Sequence, residues 1–347
     1  MTHRGTALPR VVFIGGSGRS GSTLIERVLD QLPGACSVGE TVQIWEQALA
    51  RGEPCGCGLP LTACPFWSEV GKLAFDGWDE LDLGAQISLK VSIDRTRHLP
   101  GLALLGRASR RAAPAGPPWP PPARGRRDRR LVGRADAYAQ SYAALYQAIG
   151  RESGSPVIID SSKRPMLAFC LRRIYGLDLR VIHVVRDSRA VAYSWTKVVR
   201  RPEAAGEVPA SETGPGPGYM ETYSAARTAM RWNILNVAFH ILAARGVPTL
   251  RVRYEDFVAD PAASLRRMAE FACGPDAVPG PLADSLADRH ADLAVTHTAA
   301  GNPMRFRTGR IEIRRDDDWR TRLPGRDRAV AWLLTAPLLA AYRYSRR

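Results

Sequence analysis

Arg19 and Arg186 are two cations in this 347-residue chain whose neighbours suit them to hold an anion. The run Gly15-Gly16-Ser17-Gly18-Arg19-Ser20-Gly21-Ser22-Thr23 follows a short apolar stretch and leads straight into a helical pattern. In that setting backbone N–H groups and a helix N-terminus cradle a phosphate. A plain tight turn is the alternative for such a loop taken alone. The nucleoside-triphosphate pattern G-x-x-x-x-G-K-[ST] can be laid on Gly16 to Thr23, but Ser22 then stands where a lysine must reach the β and γ phosphates. The cation is Arg19 instead, three residues earlier, which suits a ligand with one phosphate beside the loop and no metal-bridged triphosphate. Further on, Arg186 closes an apolar run and Ser194 follows two helical turns later, so both can address one anion. A surface ion pair of Arg186 with Asp187 or a neighbour is the alternative reading.

The elements that must position these groups are short β-branched runs alternating with helical periods. Arg10 to Ile14 precedes an amphipathic run from Ser22 to Leu32, and Val157 to Asp160 precedes Pro165 to Tyr175. Arg180 to Val185 precedes Asp187 to Val199, and Thr249 to Tyr254 precedes Pro261 to Cys273. Such alternation means parallel βαβ units. The expected fold is α/β, a three-layer αβα arrangement around a central parallel sheet, with ligand sites at the carboxyl ends of the strands. The chain reads as a single domain over 1–347. The stretch Arg107 to Arg134 combines six prolines with an arginine run and is expected to be a disordered insertion at about 107–134.

A formal net charge of +15 suggests a polyanionic partner. Its position argues otherwise: eleven arginines against the single acid Asp128 between Arg95 and Arg134 supply about +10 of it. The apolar stretch Ala329 to Tyr342 is shorter than the roughly 20 residues that span a bilayer and contains Pro337. It reads as a buried C-terminal helix. The N-terminal residues lack the apolar core of a secretory signal, so the expected location is cytoplasmic.

The loop GGSGRSGSTL resembles the 5′-phosphosulfate loop of sulfotransferases that use 3′-phosphoadenosine-5′-phosphosulfate (PAPS), in the R-S-G-[ST]-T form of the tyrosylprotein (Golgi-type) and bacterial branches. The resemblance implies a P-loop-like nucleotide fold, PAPS as co-substrate and no metal in the transfer. It implies that Arg19 holds the 5′-phosphate and bridging oxygen while Ser20, Gly21, Ser22 and Thr23 supply donors. Arg186 and Ser194 are similar to the family's R-x7-S pair for the 3′-phosphate. Tyr254, in Arg253-Tyr254-Glu255-Asp256-Phe257, resembles the tyrosine that approaches the adenosine, although a core tyrosine ending a strand fits equally. Arg307, with Arg305 in reserve, falls in a stretch resembling the late basic loop over the 3′-phosphate; a charged surface turn is the other reading.

Val38-Gly39-Glu40-Thr41 resembles the G-E-[ET] segment of tyrosylprotein sulfotransferases, which makes Glu40 the implied general base. His98-Leu99-Pro100 copies the H-L-P of the cytosolic branch but lies too far upstream. The matching position is the strand-then-lysine segment Val157 to Pro165, which implies Lys163 as the second catalytic cation. The resemblance leaves Trp45 to Gly150 largely unmatched, and with it the acceptor: small molecule, carbohydrate or peptide. Two other classes compete. A nucleotide kinase would need the missing lysine and an acid for magnesium. A nucleic-acid-binding protein would act through the basic stretch.

Cys55, Cys57 and Cys64 form a C-x-C-x6-C cluster ahead of Phe66 and Trp67. Zinc sites usually pair two C-x2-C hooks and have a fourth ligand, neither of which is visible in the sequence. Metal, disulfide and thiol readings stay open, and the expected site is metal-free.

Overall fold

The computed structural model describes residues 8–106, 126–199, 219–275, 277 and 280–345. The chain opens with β1 (Arg10–Gly16), α1 (Ser22–Leu29) and β2 (Ala35–Gly39). A helical region follows: α2 (Pro65–Phe75), α3 (Leu83–Ile93), α4 (Leu99–Leu104) and α5 (Arg126–Ser153). Next come β3 (Val157–Lys163), α6 (Pro165–Leu171), β4 (Leu179–Val185), α7 (Ser188–Thr196) and α8 (Ala225–Ala244). Then β5 (Thr249–Arg253) leads to α9 (Tyr254–Ala259), α10 (Pro261–Cys273) and α11 (Gly280–Ala287). A small antiparallel pair, β6 (His290–Leu293) with β7 (Gly309–Glu312), precedes α12 (Trp319–Arg322) and α13 (Gly325–Ala341).

The main sheet has the order β2-β3-β1-β4-β5, and its pairs are parallel. Its inner strands are mostly apolar on both faces until the polar end of β3, as suits a sheet covered by helices on both sides. The side-chain period of two sorts β1 between two cores. Val11 and Phe13 join Val38, Ile158 and Val181 beneath α5, α6 and α8. Val12 and Ile14 join Ile159, Ile182 and Val184 beneath α1, α9 and α10. The three-layer α/β fold expected from the sequence is therefore present.

Local chemistry sets the helix starts. Asp187 accepts from Arg189 N at the head of α7, and Asp260 does the same for Ala263 N ahead of Pro261 in α10. In α5, Tyr138, Tyr142 and Tyr146 recur every fourth residue and form one buried stripe.

Two expectations need correction. Helix α5 begins at Arg126, so the last nine residues of the span 107–134 are helical; the alanine- and tyrosine-bearing stripe just downstream carries the helix back into the arginine run. The rest of that span, 107–125, lies outside the described residues. The C-terminal helix is not buried throughout: Ala331, Thr335 and Leu339 are covered, but Leu333 is 71% exposed. Among the described residues no helix is long and apolar enough to cross a membrane.

Candidate active site

The glycine-rich loop leaves the carboxyl end of β1, the middle strand. Gly15 registers with Lys163 on β3, and Gly16 registers with Val184 on β4, two residues before Arg186. One strand end thus places the loop between two cations. Helix α1 starts at Ser22 with Gly21 in the left-handed region (φ 84°) and no side-chain cap, which leaves its first N–H groups to an outside acceptor. Ser20 is fully buried, and its Oγ has no hydrogen-bond partner among the described residues. A buried hydroxyl without a partner costs stability unless a ligand supplies one, so the loop's donors fit a phosphate.

Gly21 is required by more than its φ. A Cβ there would come within 2.3 Å of the Tyr254 ring, so the tyrosine at the end of β5 lies directly on the loop. The Arg186 guanidinium sits 4.6 Å from the centre of the same ring and donates to the Arg19 carbonyl at 3.2 Å. Its other nitrogen reaches the Asp316 carboxylate at 3.1 Å, which Lys197 approaches at 3.7 Å. The Arg186 carbonyl accepts from the buried Trp232 indole, which fixes the backbone at this strand end. Arg186 therefore does not pair with Asp187, whose carboxylate is taken by Arg189 at 2.7 Å. Arg19 stands over the Trp195 ring, 5.1 Å from its centre.

On the β3 side, Lys163 Nζ lies 2.5 Å from Glu40 Oε1. Glu40 follows Gly39, the last residue of β2, and its side chain is about one-fifth exposed. Lys163 ends β3 with φ 61° and Arg19 has φ 68°, so both cations adopt the left-handed backbone that side chains rarely take.

A buried polar network braces this pair. Asp160 accepts from Thr41 Oγ1, from the Tyr146 hydroxyl at 2.5 Å and from Ser162 N at 2.7 Å. Ser162 Oγ in turn accepts from Val42 N, and the Tyr142 hydroxyl donates to the Thr41 carbonyl. Glu26, on α1, accepts from Gly39 N at 2.8 Å and from Ser161 Oγ at 2.6 Å. Burial pushes the Glu26 carboxyl up to about 7, against the hydrogen bond from Ser161 and the nearby Lys163 charge. Burial also raises Asp160, opposed by its hydrogen bonds.

Residues 144–289 match the family described as "Sulfotransferase domain". No curated protein matches the chain. Among solved structures it is similar to sulfotransferase STF9 from Mycobacterium avium, at 12% identity and TM-score 0.48, covering 98% of this chain and 78% of that one. It is similar also to the sulfotransferase domain of the Synechococcus PCC 7002 olefin synthase, at 17% identity and TM-score 0.40, covering 99% and 98%.

The matched stretch 144–289 contains Lys163, Arg186, Ser194 and Tyr254. The loop and Glu40 precede it, and strands β1 and β2 carry them into the same sheet. The structure brings together Arg19, Ser20, Gly21, Ser22, Arg186 and Tyr254 on one side, and Glu40 with Lys163 on the other. Thr23 is the second residue of α1, and Ser194 lies on α7, two turns beyond Arg186; both are half-buried.

Arg307 does not join them. It is exposed, its carbonyl accepts from Arg27, and no described contact links it to Arg186. Arg305 is a buried clamp that donates to the Gly301 carbonyl at 2.6 Å and approaches Glu53. The residue from this late part of the chain that does reach Arg186 is Asp316.

Sequence reasoning missed Asp316, Glu26, Asp160 and Arg27, which donates to the carbonyls of Ala294, Met304, Arg305 and Arg307. The one available signal was Asp160-Ser161-Ser162, a polar run at the end of a strand where apolar residues are usual. It missed His297 too. That imidazole stands beside Cys55, Cys57 and Cys64, with one ligand atom of each within 4.8 Å of the others.

Proposed function

We propose that this chain is a sulfotransferase that moves the sulfuryl group of PAPS onto a hydroxyl or amine of a small-molecule, carbohydrate or peptide acceptor. The observation that carries the reading is the flanking of one uncapped, glycine-rich helix N-terminus by Lys163 on β3 and Arg186 on β4. In this assignment Ser20, Gly21, Ser22 and Thr23 donate to the 5′-phosphate, and Arg186 with Ser194 holds the 3′-phosphate. Tyr254 packs at the adenosine side, where its ring already meets Arg186.

Glu40 takes the acceptor proton as the acceptor's lone pair forms a bond to sulfur. The bond from sulfur to the bridging oxygen breaks, and its electron pair leaves on the 5′-phosphate of 3′,5′-adenosine bisphosphate. Arg19 and Lys163 stabilise that growing charge, which is where fixed cations accelerate a transfer most. Lys163 has a second duty, because its contact with Oε1 orients Glu40. Arg307, the expected partner of the 3′-phosphate from the late basic loop, is exposed and makes no described contact with Arg186, so the assignment of that phosphate rests on Arg186 and Ser194. A kinase reading lacks support: Ser22 occupies the position of the phosphate-binding lysine.

The test is thermal stabilisation by 3′,5′-adenosine bisphosphate without divalent metal, on wild type and Arg186→Ala. A ligand at a hundredfold excess over its Kd adds about 2.7 kcal/mol to folding. Metal-independent stabilisation that disappears in Arg186→Ala, together with label transfer from PAPS to an acceptor panel, is the expected result. Stabilisation by ATP and magnesium alone overturns the assignment.

A further inference from the structure

Outside the active site, three thiols and one imidazole converge from parts of the chain more than 200 residues apart. Cys55 Sγ lies 3.7 Å from His297 Nδ1, and Cys64 Sγ lies 3.2 Å from the same nitrogen. With Cys57 Sγ included, the four ligand atoms are mutually within 4.8 Å. Zinc binds thiolate sulfur at ~2.3 Å and imidazole nitrogen at ~2.0 Å, so a tetrahedron of three sulfurs and one nitrogen around it has edges ~3.5 to 3.8 Å long. The observed separations bracket those edges. None of the three cysteines is in a disulfide, and Cys55 and Cys64 are buried.

The surroundings are built to hold these ligands. The C-x-C pair sits in a tight hairpin closed by the Pro54–Pro60 bridge, where Cys55 N donates to the Leu59 carbonyl and Gly58 N to the Cys55 carbonyl. Cys64 caps the N-terminus of α2 (Pro65–Phe75), the end whose dipole favours a thiolate. The Phe66 ring stacks on the imidazole at 5.1 Å, and the Trp67 indole donates to the His297 carbonyl at 2.7 Å. Nδ1 is therefore presented to the sulfurs by contacts on the ring face and on the backbone. Soft thiolates with one imidazole select zinc among common divalent ions, and four protein ligands leave no position for a reacting water.

We infer that Cys55, Cys57, Cys64 and His297 bind one zinc ion in a closed tetrahedral site that fastens the 294–307 segment over Glu40. The link to Glu40 is short. Two residues beyond His297, Ala299 N donates to the Val38 carbonyl, and the Ala300 carbonyl accepts from Glu40 N at 3.3 Å. Gly301 (φ 127°) then lies so close that a Cβ would fall 2.8 Å from Glu40 Oε1. From the cysteine side, Gly56 N donates to the Thr298 carbonyl, and the Pro54 carbonyl accepts from Arg305. The ion supplies a crosslink between the hairpin and this strap, and it takes no part in the transfer itself.

The test reads metal, not turnover, so it stands apart from the assignment of donor and base. Untagged full-length protein, reconstituted with one equivalent of zinc and desalted, is expected to retain one zinc per chain. Its X-ray absorption should show three sulfurs and one nitrogen around the ion. Cobalt substituted for zinc should give thiolate charge-transfer bands. Cys57→Ser and His297→Ala should each weaken zinc at least about a hundredfold, whereas Cys273→Ser should leave it unchanged. Retention of less than a tenth of an equivalent by wild type, or a mass two hydrogens short that marks a disulfide among the three cysteines, overturns the proposal. The wild-type measurements decide the matter even where a variant fails to fold.

Discussion

Lys163 Nζ and Glu40 Oε1 are 2.5 Å apart, and their contact spans the ends of the neighbouring strands β3 and β2. Neither residue is held by this contact alone. Lys163 is backed by Asp160-Ser161-Ser162 on its own strand, and Glu40 by the Thr41 turn and the Ala300–Gly301 strap. The pair is set by structure on three sides, as the proposed proton transfer to Glu40 requires.

Glu40→Gln is expected to lower kcat by roughly 10²- to 10⁴-fold, the usual contribution of a general base, while leaving the affinity for 3′,5′-adenosine bisphosphate within about twofold. Lys163→Met should lower kcat too, and it should also weaken the donor, because Lys163 neighbours Gly15 at the root of the loop. Steady-state kinetics paired with calorimetric titration of the bisphosphate separate the two. Equal loss of bisphosphate affinity in both variants would remove Glu40 from the role of base.

Asp316 occupies the group that the proposed assignment gives to the 3′-phosphate. Its carboxylate sits on Arg186 and near Lys197, and it is about one-third exposed, so the attraction is screened and modest. Asp316→Asn is expected to tighten 3′,5′-adenosine bisphosphate by roughly 5- to 10-fold, about 1 kcal/mol. Adenosine 5′-phosphate, which lacks the 3′-phosphate, should show no such gain. Titration of both nucleotides into both proteins measures the difference, and equal gains would place Asp316 elsewhere than opposite the 3′-phosphate.

Gly21→Ala should strike the loop at two levels. The added Cβ meets the Tyr254 ring, and its φ of 84° lies in the region that favours glycine. A stability loss of about 1–3 kcal/mol and a bisphosphate affinity reduced at least tenfold are expected. Denaturant unfolding and titration check them separately. Tyr254→Ala added to Gly21→Ala should recover part of the stability, since it removes the clash and leaves the backbone strain.

Much of this was legible in the residues. The apolar runs Arg10 to Ile14, Arg180 to Val185 and Thr249 to Tyr254 fall on β1, β4 and β5 with ends correct to one or two residues. Strand β3 runs on to Lys163, past the expected end at Asp160, because partners on α1, α5 and the Thr41 turn satisfy its buried polar residues. No local window contains those partners. The same reason hid His297, whose cysteine neighbours lie more than 200 residues earlier, and the metal-free expectation rested on the lack of that fourth ligand. Composition marks the basic loop at Arg307 without showing which way it faces, and the structure has that side chain exposed. Strand β2 (Ala35–Gly39) escaped notice as a five-residue edge strand with polar and small residues.

The last prediction concerns pH and Glu26. Its carboxyl is buried between α1, β2 and β3, and burial raises it from 4.5 in the open chain to about 7. Between those values the folded protein binds the extra proton and the unfolded chain does not, so this group's contribution falls as pH rises. Its stabilising share is whole below about pH 4.5 and lost above about pH 7, and a rise of that size corresponds to about 3 kcal/mol. Glu26→Gln keeps an acceptor for Gly39 N and removes the proton. The stability of Glu26→Gln relative to wild type should therefore rise by up to about 3 kcal/mol from pH 4.5 to about pH 7.5 and stay level beyond. Urea unfolding of both proteins across that range reads the difference, with every other titrating group common to the two. A flat difference would mean that Glu26 ionises in the fold as easily as in the unfolded chain, with Ser161, Gly39 and Lys163 offsetting the whole cost of its burial.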